Sequence, residues 1–353
     1  MRFAQHGQAC YVRASMWAVD NRTTYGVGRT WGRNKDGVHE WIVAVRASFD
    51  IGPKGRLEIA DDQPEPFLAA EYNGEDGASS LRYEADLVGP KPTTDIVLNG
   101  TAHAPAGRAS RDFMVSMRVG KTEKVLRVLG ERYWMPTGTG LQASGADAVV
   151  EVPIVYERAY GGFDARDPDP KRQKMDARNP VGVGVVAAGG HWEGEPLHNF
   201  EYPKRDPITS GPAGFGAIAS HWMPRLSLQG TYDDAWARKR RPLLPEDWEP
   251  RALQCAPQDQ QATQHLRGGE PVELLNLTPN GAMRFDLPKA YFTFETKFST
   301  LRGHRSEEHR AKLSTVILEP DHPRVVMVWT SCLLVRENED YLDETIVREK
   351  PYL

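Results

Sequence analysis

The stretch EWIVAVRASFD at residues Glu40–Asp50 is the clearest structural signal in this sequence. Its first half is continuously apolar, which is typical of a strand that is buried on both faces, and its second half alternates apolar and polar side chains. The turn formers GPKG come next, and RLEIA follows them. The segment therefore predicts a β-hairpin whose first strand lies deep inside a sheet.

Short strand signals separated by turns recur on both sides of this hairpin. The 32 glycines and 26 prolines fall between the apolar segments, which indicates many turns. Strands are predicted early in the chain at Leu81–Asp86, Asp95–His103, Phe113–Val119 and Val125–Leu129, with Gly120 and Lys121 at a hairpin tip. Later strands are predicted in PVELLNL, AMRFDLP, AYFTFET, LSTVILE and RVVMVWTSCLLVRE, with NLTPNG as a turn. We therefore predict a mainly β protein, an antiparallel β-sandwich or a set of barrel-like sheets.

The middle of the chain has a different composition. From about residue 163 to Gly230 it is rich in Gly, Pro, Asn and Asp with scattered Trp and Phe, which indicates long ordered loops held by aromatic anchors. We predict a β-rich N-terminal subdomain at residues 1–145 and a β-rich subdomain with long Gly/Pro/Trp loops at residues 146–353. The two are expected to pack together as one unit.

One or two short helices are predicted. In TYDDAWARKRRP, Thr231 is the expected N-cap, acidic residues follow it, basic residues come last and Pro242 ends the helix. Tyr232 and Trp236 are four residues apart, so they share a helix face, which we expect to pack on the sheet. A second short helix is predicted at Glu307–Leu313.

The composition argues against polyanionic partners and against a membrane protein. The chain has 44 Lys and Arg against 48 Asp and Glu, and the two signs are interspersed. No apolar run is long enough to span a bilayer, and the first residues have no signal-peptide pattern. We therefore expect a cytoplasmic protein without nucleic-acid binding or membrane insertion. Three widely spaced cysteines, Cys10, Cys255 and Cys332, are expected to be buried free thiols.

Candidate catalytic motifs are incomplete. Gly120-Lys121-Thr122 resembles the end of a phosphate-binding loop, but Val115 stands where its first glycine belongs. His304 and His309 are five residues apart, which does not fit the two histidines of a helical zinc site, so solvated surface histidines are expected. The acidic loop with Asp164, Asp167 and Asp169 lacks the glycine of a calcium loop and is expected to be solvated. We predict no catalytic residue, no cofactor and no metal.

A carbohydrate-active β-sandwich enzyme is the alternative. Such an enzyme needs two carboxyl groups facing each other across a sugar, and aromatic side chains as sugar platforms. The carboxyl pairs Glu151 with Glu157 and Asp233 with Asp234 are candidates. The candidate platforms are Trp192, Trp222, Trp236 and Trp248.

Several ordered segments carry a resemblance to a known family. They are SSLRYEADLVGPKPTTDIVLNGTAHAPAG, VEVPIVYERAYGG, ARNPVGVG, GPAGFGAI, HWMPRLSLQGTYDDAWARKRRPLLPEDWEPRALQCAPQDQ, LRGGEPVELLNLTPNGAMRFDLP and TVILEPDHPRVVMVWTS. Their order and spacing resemble the bacterial domain-of-unknown-function family 2169. Members of that family resemble adaptors encoded with type VI secretion genes.

The resemblance implies a role without catalysis. The protein would act as an adaptor or chaperone that stabilises a toxic effector and loads it onto the spike tip protein. A structural component associated with the spike is a further alternative. The residues that fall on the family pattern, as a partner-binding surface or as turn formers and internal hydrogen-bond partners, are Glu157, Arg158, Tyr160, Gly161, Gly162, Asn179, Pro180, Gly182, Gly230, Tyr232, Asp233 and Trp236.

Overall fold

The computed structural model describes residues 16–138, 140–187, 193–300, 303–336 and 339–350. The described residues form strands and long loops with little helix, so the prediction of a mainly β fold is confirmed. Most strand pairs are antiparallel, and the sheets do not close into a barrel.

Twenty-five strands follow one another in the described part of the chain. Those before residue 130 are β1 Ala18–Arg22, β2 Gly26–Arg33, β3 His39–Ile51, β4 Leu57–Ile59, β5 Glu71–Tyr72, β6 Leu81–Tyr83, β7 Asp95–Leu98, β8 Thr101–His103, β9 Asp112–Val119 and β10 Thr122–Leu129. The middle strands are β11 Trp134–Thr137, β12 Gly140–Ala143, β13 Glu151–Pro153, β14 Tyr160–Gly161, β15 Phe163–Asp164, β16 Lys174–Met175, β17 Val183–Gly184 and β18 Phe200–Glu201. The last strands are β19 Pro271–Leu275, β20 Ala282–Asp286, β21 Tyr291–Thr300, β22 Gly303–Arg310, β23 Lys312–Glu319, β24 Arg324–Val335 and β25 Leu342–Lys350.

Two short α-helices are present among these residues; the sequence predicts the one at residues 234–239 but not the one at residues 207–210. They are α1 Pro207–Ser210 and α2 Asp234–Lys239. Short 3-10 helices occur at Pro53–Gly55, Pro105–Gly107, Tyr156–Arg158, Arg225–Gln229, Pro250–Leu253, Gln258–Gln260 and Glu339–Tyr341.

A six-stranded sheet is the central layer of the protein. Its order is β2-β3-β24-β23-β7, and β4 pairs with β3 through the predicted hairpin. Strand β3 is buried over nearly its whole length. The apolar first half predicts this burial, whereas Arg46 and Ser48 of the alternating second half are buried as well, which the pattern did not predict. Its pairing with β24 and the pairing of β23 with β7 join distant parts of the chain. Sheets are therefore shared across residue 145, and the division into subdomains at that point stays a prediction.

The two faces of this sheet pack against different parts of the protein. From one face Val43, Val45 and Met327 join the main core, which also contains Val115 and Phe294 of the other two large sheets. These are the five-stranded sheet β18-β10-β9-β19-β20 and the four-stranded sheet β1-β25-β21-β22. The predicted hairpin at Gly120-Lys121 joins β9 to β10, and the predicted NLTPNG turn joins β19 to β20.

The second face of the central sheet is covered by the middle loops. Val97, Ile317 and Val326 point from β7, β23 and β24 into a smaller apolar cluster. The loops add buried side chains to it, among them Tyr156 and Trp222. The loops are therefore anchored on a rigid layer, as the scattered aromatic residues predict.

Two charged pairs are buried beside this second face. Arg46 pairs with Asp86 at 2.7 Å. Lys91 lies 2.8 Å from Asp95, which also accepts a hydrogen bond from the backbone N–H of Cys255. Because a buried charge is costly unless it is paired, each of these contacts ties a loop to the sheet.

Several local predictions are wrong. Residues 307–310 of the predicted second helix belong to strand β22, which pairs with β21, and residues 312–313 begin β23. The helix at residues 234–239 is capped by Asp233, whose carboxylate accepts the N–H of Trp236, and not by Thr231. Tyr232 packs on Trp236 with 4.8 Å between ring centroids, yet it is 54% exposed, so it does not pack on the sheet.

Two other predicted environments also differ. His309 is half-buried between Thr296 and Ser331, so it is not a solvated surface histidine. Asp164 is buried and pairs with Arg166 at 2.8 Å, so that part of the acidic loop is not solvated.

The cysteines follow the prediction in part. Cys255 is a buried free thiol and Cys332 a half-buried one. Burial raises the pKa of each thiol to about 12, which keeps both protonated at neutral pH. Cys10 lies outside the described residues.

Candidate partner-binding cleft

The segment at residues 156–184 contains most of the residues that fall on the family pattern, and they form one interlocked loop. Strand β14 runs parallel to β17, so Tyr160 lies beside Val183. Asn179 is fully buried between the strands and donates its side-chain amide to the carbonyl oxygens of Tyr156 at 2.8 Å and Tyr160 at 3.1 Å. This amide replaces backbone hydrogen bonds that such short strands cannot provide.

The glycines of this loop allow its close packing. A Cβ on Gly161 would lie 2.2 Å from the carbonyl oxygen of Asn179, and a Cβ on Gly182 would lie 2.3 Å from the amide nitrogen of the same residue. Gly161 and Gly162 also have φ of +153° and +109°, which favour glycine. Pro180 lies inside the turn that the N–H of Gly182 closes on the carbonyl oxygen of Asn179.

Glu157 and Arg158 connect the interlocked loop to its neighbours. Glu157 accepts hydrogen bonds at 2.7 Å from both the backbone N–H and the hydroxyl of Ser80. Arg158 pairs with Glu131 at 2.7 Å and donates to the side chain of Asn199. These contacts are internal, so both residues hold loops in place.

The family-pattern residues near position 230 lie in a separate loop at residues 230–248, which we call the excursion. Gly230 has φ of +83°, and a Cβ there would lie 2.7 Å from Pro245. The next residue, Thr231, donates its N–H and hydroxyl to the carboxylate of Asp247. Trp236 donates its indole N–H to the carbonyl oxygen of Leu243. The excursion is held by these contacts and by a hydrogen bond from Arg240 to the carbonyl oxygen of Lys35, and it presents the Tyr232 ring to solvent.

A cleft of about 470 Å³ lies between these two loop systems. This volume is within the range of ligand-binding pockets. Tyr156 at its base belongs to the interlocked loop, and Leu228 at its wall precedes the excursion. We call it the loop cleft; its described lining residues are Tyr156, Arg178, Tyr202, Arg205, Ser210, Gly211, Pro212, Ile218, Met223, Pro224, Arg225, Leu228, Arg251, Gln254, Ala256, Pro257, Gln258, Asp259 and Gln261.

The charges of the loop cleft are unequal. Four arginines line it, whereas Asp259 is the sole carboxylate among its described lining residues. Asp259 accepts hydrogen bonds from Lys124 at 2.9 Å and from the Tyr202 hydroxyl at 3.1 Å. Burial lowers the pKa of Lys124 to about 8, against the opposing effect of Asp259. Burial, and after it the same carboxylate, raises the pKa of Tyr202.

Several residues of the candidate carbohydrate site lie in separate environments. Trp222 is buried in the core beside Tyr156, and Asp233 caps a helix. Glu157 is bound to Ser80, whereas Glu151 is exposed on β13. Trp192 lies outside the described residues. Among its described lining residues the loop cleft has a single carboxylate, and glycoside hydrolysis needs a facing pair.

No cluster of three or more His, Cys, Asp or Glu residues arranged to hold a metal ion is found in the part of the chain that the structure describes. In the same residues, no helix has the length and apolar character needed to cross a membrane.

The fold and the cleft define a mainly β protein whose long loops form an arginine-lined cleft on one face of a central sheet. A family model matches residues 36–330, well over half of the chain, and is described as "Uncharacterized protein conserved in bacteria (DUF2169)". The chain therefore belongs to the DUF2169 family. No curated protein and no solved structure matches it.

Sequence reasoning did not predict the loop cleft. Its lining residues lie between positions 156 and 261 and are separated by loops of irregular structure, so no periodic pattern relates them. One signal was present, since arginines recur through this loop-rich region. Their side chains come together only because the second face of the central sheet anchors each loop.

Proposed function

We propose that this protein is a non-enzymatic, cytoplasmic adaptor or chaperone that binds a type VI secretion effector and helps to load it onto the spike tip protein. Membership in DUF2169 is shown by the family model, and the adaptor role is taken from the resemblance that the ordered sequence segments carry. The observation that carries it is the loop cleft, a preformed concave surface on anchored loops. Binding residues are often placed on loops that a rigid scaffold positions.

The surroundings of the loop cleft also suit a protein partner. Exposed apolar side chains adjoin its lining residues in the chain: Ile208 follows Arg205 on α1, and Leu226 follows Arg225. The Tyr232 and Trp236 rings lie on the excursion that begins after Leu228. Aromatic residues and arginine are the commonest energetic anchors of protein interfaces.

The adaptor acts by binding energy alone. It covers apolar surface of the effector, which keeps the effector from aggregating, and it releases the effector at the spike. The exposed apolar side chains beside the cleft provide contact area for the effector. The arginines orient the effector and provide specificity. No chemical step is part of this scheme.

Co-expression with the effector gene encoded beside this protein tests the proposal. We expect a soluble complex to co-purify at a defined ratio, and we expect effector solubility to fall when this chain is omitted. Unchanged effector solubility together with no co-purification would contradict the adaptor role.

A second measurement separates an adaptor from a structural part of the spike. Cells with an active secretion system are fractionated, and this protein is followed together with the spike tip protein. We expect it to stay in the cytoplasmic fraction while the effector and the spike leave. Stoichiometric recovery of this chain in secreted particles would instead favour a structural component.

A further inference from the structure

Among the residues that the structure describes, one arginine of the loop cleft forms no ion pair with a carboxylate. Arg178 pairs with Asp176 at 2.5 Å, Arg225 with Glu84, and Arg251 with Glu249 at 2.6 Å. The carboxylate of Asp259 is already occupied by Lys124. Arg205 has no carboxylate partner among the residues that the structure describes.

Tyr202 contacts the Arg205 side chain, and no carboxylate of the described residues neutralises its charge. Its guanidinium carbon lies 5.6 Å from the ring centroid of Tyr202, and its backbone N–H donates to the carbonyl oxygen of Tyr202. The side chain is exposed, so binding a ligand requires little desolvation of a buried charge. This cation–π contact favours one side of the ring for the planar guanidinium, whose fork of donors suits paired hydrogen bonds to a carboxylate.

Arg178 supplies a second set of donors. Its Nε and Nη2 atoms are bound to Asp176, and Nη2 also donates to the carbonyl oxygen of Ile208. Nη1 is given no partner by the described residues. It lies 3.0 Å from where a Cβ on Gly211 would be, and Gly211 has no side chain to cover it. Both Arg178 and Gly211 line the loop cleft.

Apolar side chains also line the cleft. They include Pro212, Ile218, Met223, Leu228 and Pro257. A ligand that fits must therefore carry negative charge and apolar groups close together. A peptide segment that alternates acidic and apolar side chains has this composition.

We propose that the loop cleft binds an acidic, apolar peptide segment of the partner protein, with Arg205 and Arg178 receiving its carboxylates. This inference rests on the proposed adaptor function, and it names the chemistry of the segment that is recognised. Arg205 acts mainly on specificity and association rate, because exposed charges contribute modestly to affinity.

Fluorescence anisotropy tests the proposal on the full-length protein. The probe is a short fluorescein-labelled peptide that alternates glutamate and leucine, and its matched control carries glutamine in place of glutamate. We expect the glutamate peptide to bind more tightly by about tenfold and to weaken as NaCl is raised from about 50 to about 500 mM. Equal binding of the two peptides would overturn the proposal.

Charge reversal locates the site. Arg205→Glu is expected to weaken binding of the glutamate peptide about five- to tenfold, because it replaces attraction by repulsion. Arg108→Glu is the matched control, since Arg108 is exposed, has no carboxylate partner in the described chain and does not line the cleft. An equal loss of peptide affinity in both variants would show a general charge effect and would contradict the placement of the binding site in the cleft.

Another class of anion is tested in the same assay. A labelled single-stranded oligonucleotide of similar length should bind more weakly than the glutamate peptide and should respond equally to the two substitutions. If it binds as tightly and depends on Arg205, the cleft selects negative charge in general, and the acidic-peptide proposal is wrong.

Co-purification distinguishes failure of this inference from failure of the adaptor function. If the effector co-purifies with the wild-type chain and equally well with Arg205→Glu and with an Arg178→Gln Arg205→Glu double variant, the adaptor function stands and the cleft proposal fails. If the effector does not bind the wild type, the adaptor function fails, whereas the peptide measurement still decides what the cleft binds. Circular dichroism confirms that the variants are folded.

Discussion

The side-chain amide nitrogen of Asn179 lies 2.8 Å from the backbone carbonyl oxygen of Tyr156. This hydrogen bond joins the two arms of the interlocked loop at residues 156–184. The ring of Tyr156 stands edge-on to Trp222, with 5.8 Å between centroids, and it lines the base of the loop cleft. A buried amide thus supports the cleft without touching anything that enters it.

Asn179→Ala is expected to destabilise the protein by about 2–4 kcal/mol, because it leaves buried carbonyl oxygens without a donor and creates a small cavity. Urea unfolding followed by tryptophan fluorescence measures the change. Gln142→Ala on β12, where the side chain is exposed, is the control and should change the free energy of unfolding by less than about 0.5 kcal/mol. Similar values for the two variants would contradict a supporting role for Asn179.

Gly161→Ala is expected to cost more than about 2 kcal/mol of folding free energy, because the new Cβ would collide with the carbonyl oxygen of Asn179 and φ is +153°. Gly138→Ala is the matched control. A Cβ at Gly138 meets nothing within 4 Å, so that change should stay within about 1 kcal/mol. Thermal unfolding of both variants makes the comparison, and a Gly161 variant as stable as the Gly138 variant would refute the steric argument.

Lys124 should make stability rise with pH above neutrality. Its pKa in the folded protein is about 8, against an ordinary value of 10.5, so the unfolded chain binds more protons between these two pH values. The folded state therefore gains up to about 3 kcal/mol as pH rises through this window. Lys124→Met should lack this gain when urea unfolding is compared at the two ends of the window.

Lys121→Met is the control for Lys124, because Lys121 is exposed on the neighbouring hairpin turn. The free energy of unfolding of Lys121→Met should rise with pH as much as that of the wild type. If the stability of Lys124→Met rises with pH as that of the wild type does, Lys124 does not have a lowered pKa in solution.

His309 should make the protein sensitive to acid. Burial lowers its pKa to about 4, and its ring nitrogens lie 2.8 Å from the Thr296 hydroxyl and 2.6 Å from the Ser331 hydroxyl. The unfolded chain therefore binds more protons between about pH 4 and pH 6.5, and stability falls by up to about 3 kcal/mol as pH is lowered through this window. His309→Gln should remove that part of the loss in urea unfolding.

The control for His309 lies on the same strand. His304→Gln changes an exposed histidine of β22, so the stability of this variant should depend on pH as that of the wild type does. An identical response of the two variants to pH would argue against a buried, neutral His309.

The sequence predicted the elements whose information is local. The hairpin at Gly120-Lys121 and the turn in NLTPNG form as expected, because turn residues and strand periodicity act within a few positions. The apolar run in β3 likewise predicted a strand buried on both faces. The predicted helix at Glu307–Leu313 was wrong because pairing with β21 overrides a weak local preference.

Side-chain environments were predicted less well than strands. Asp164 and His309 are polar, and polarity alone indicates solvent. In the structure Arg166 and the N–H of Ala187 compensate the burial of Asp164, whereas Thr296 and Ser331 do so for His309. Some of these partners are more than ten positions away in the chain, so no local pattern reveals them.

The sequence by itself determined the β-rich class, the positions of most strands in the core, and membership in a family, because these depend on periodicity and on the order of short segments. Only the tertiary structure decided that Arg178, Arg205, Arg225 and Arg251 share one cleft, and that Arg205 pairs with no carboxylate of the described residues. The physical reason is that irregular loops have no period of their own. Their relative positions follow from where each loop buries its apolar anchor on the central sheet, and from the buried amide of Asn179 that holds two of their arms together.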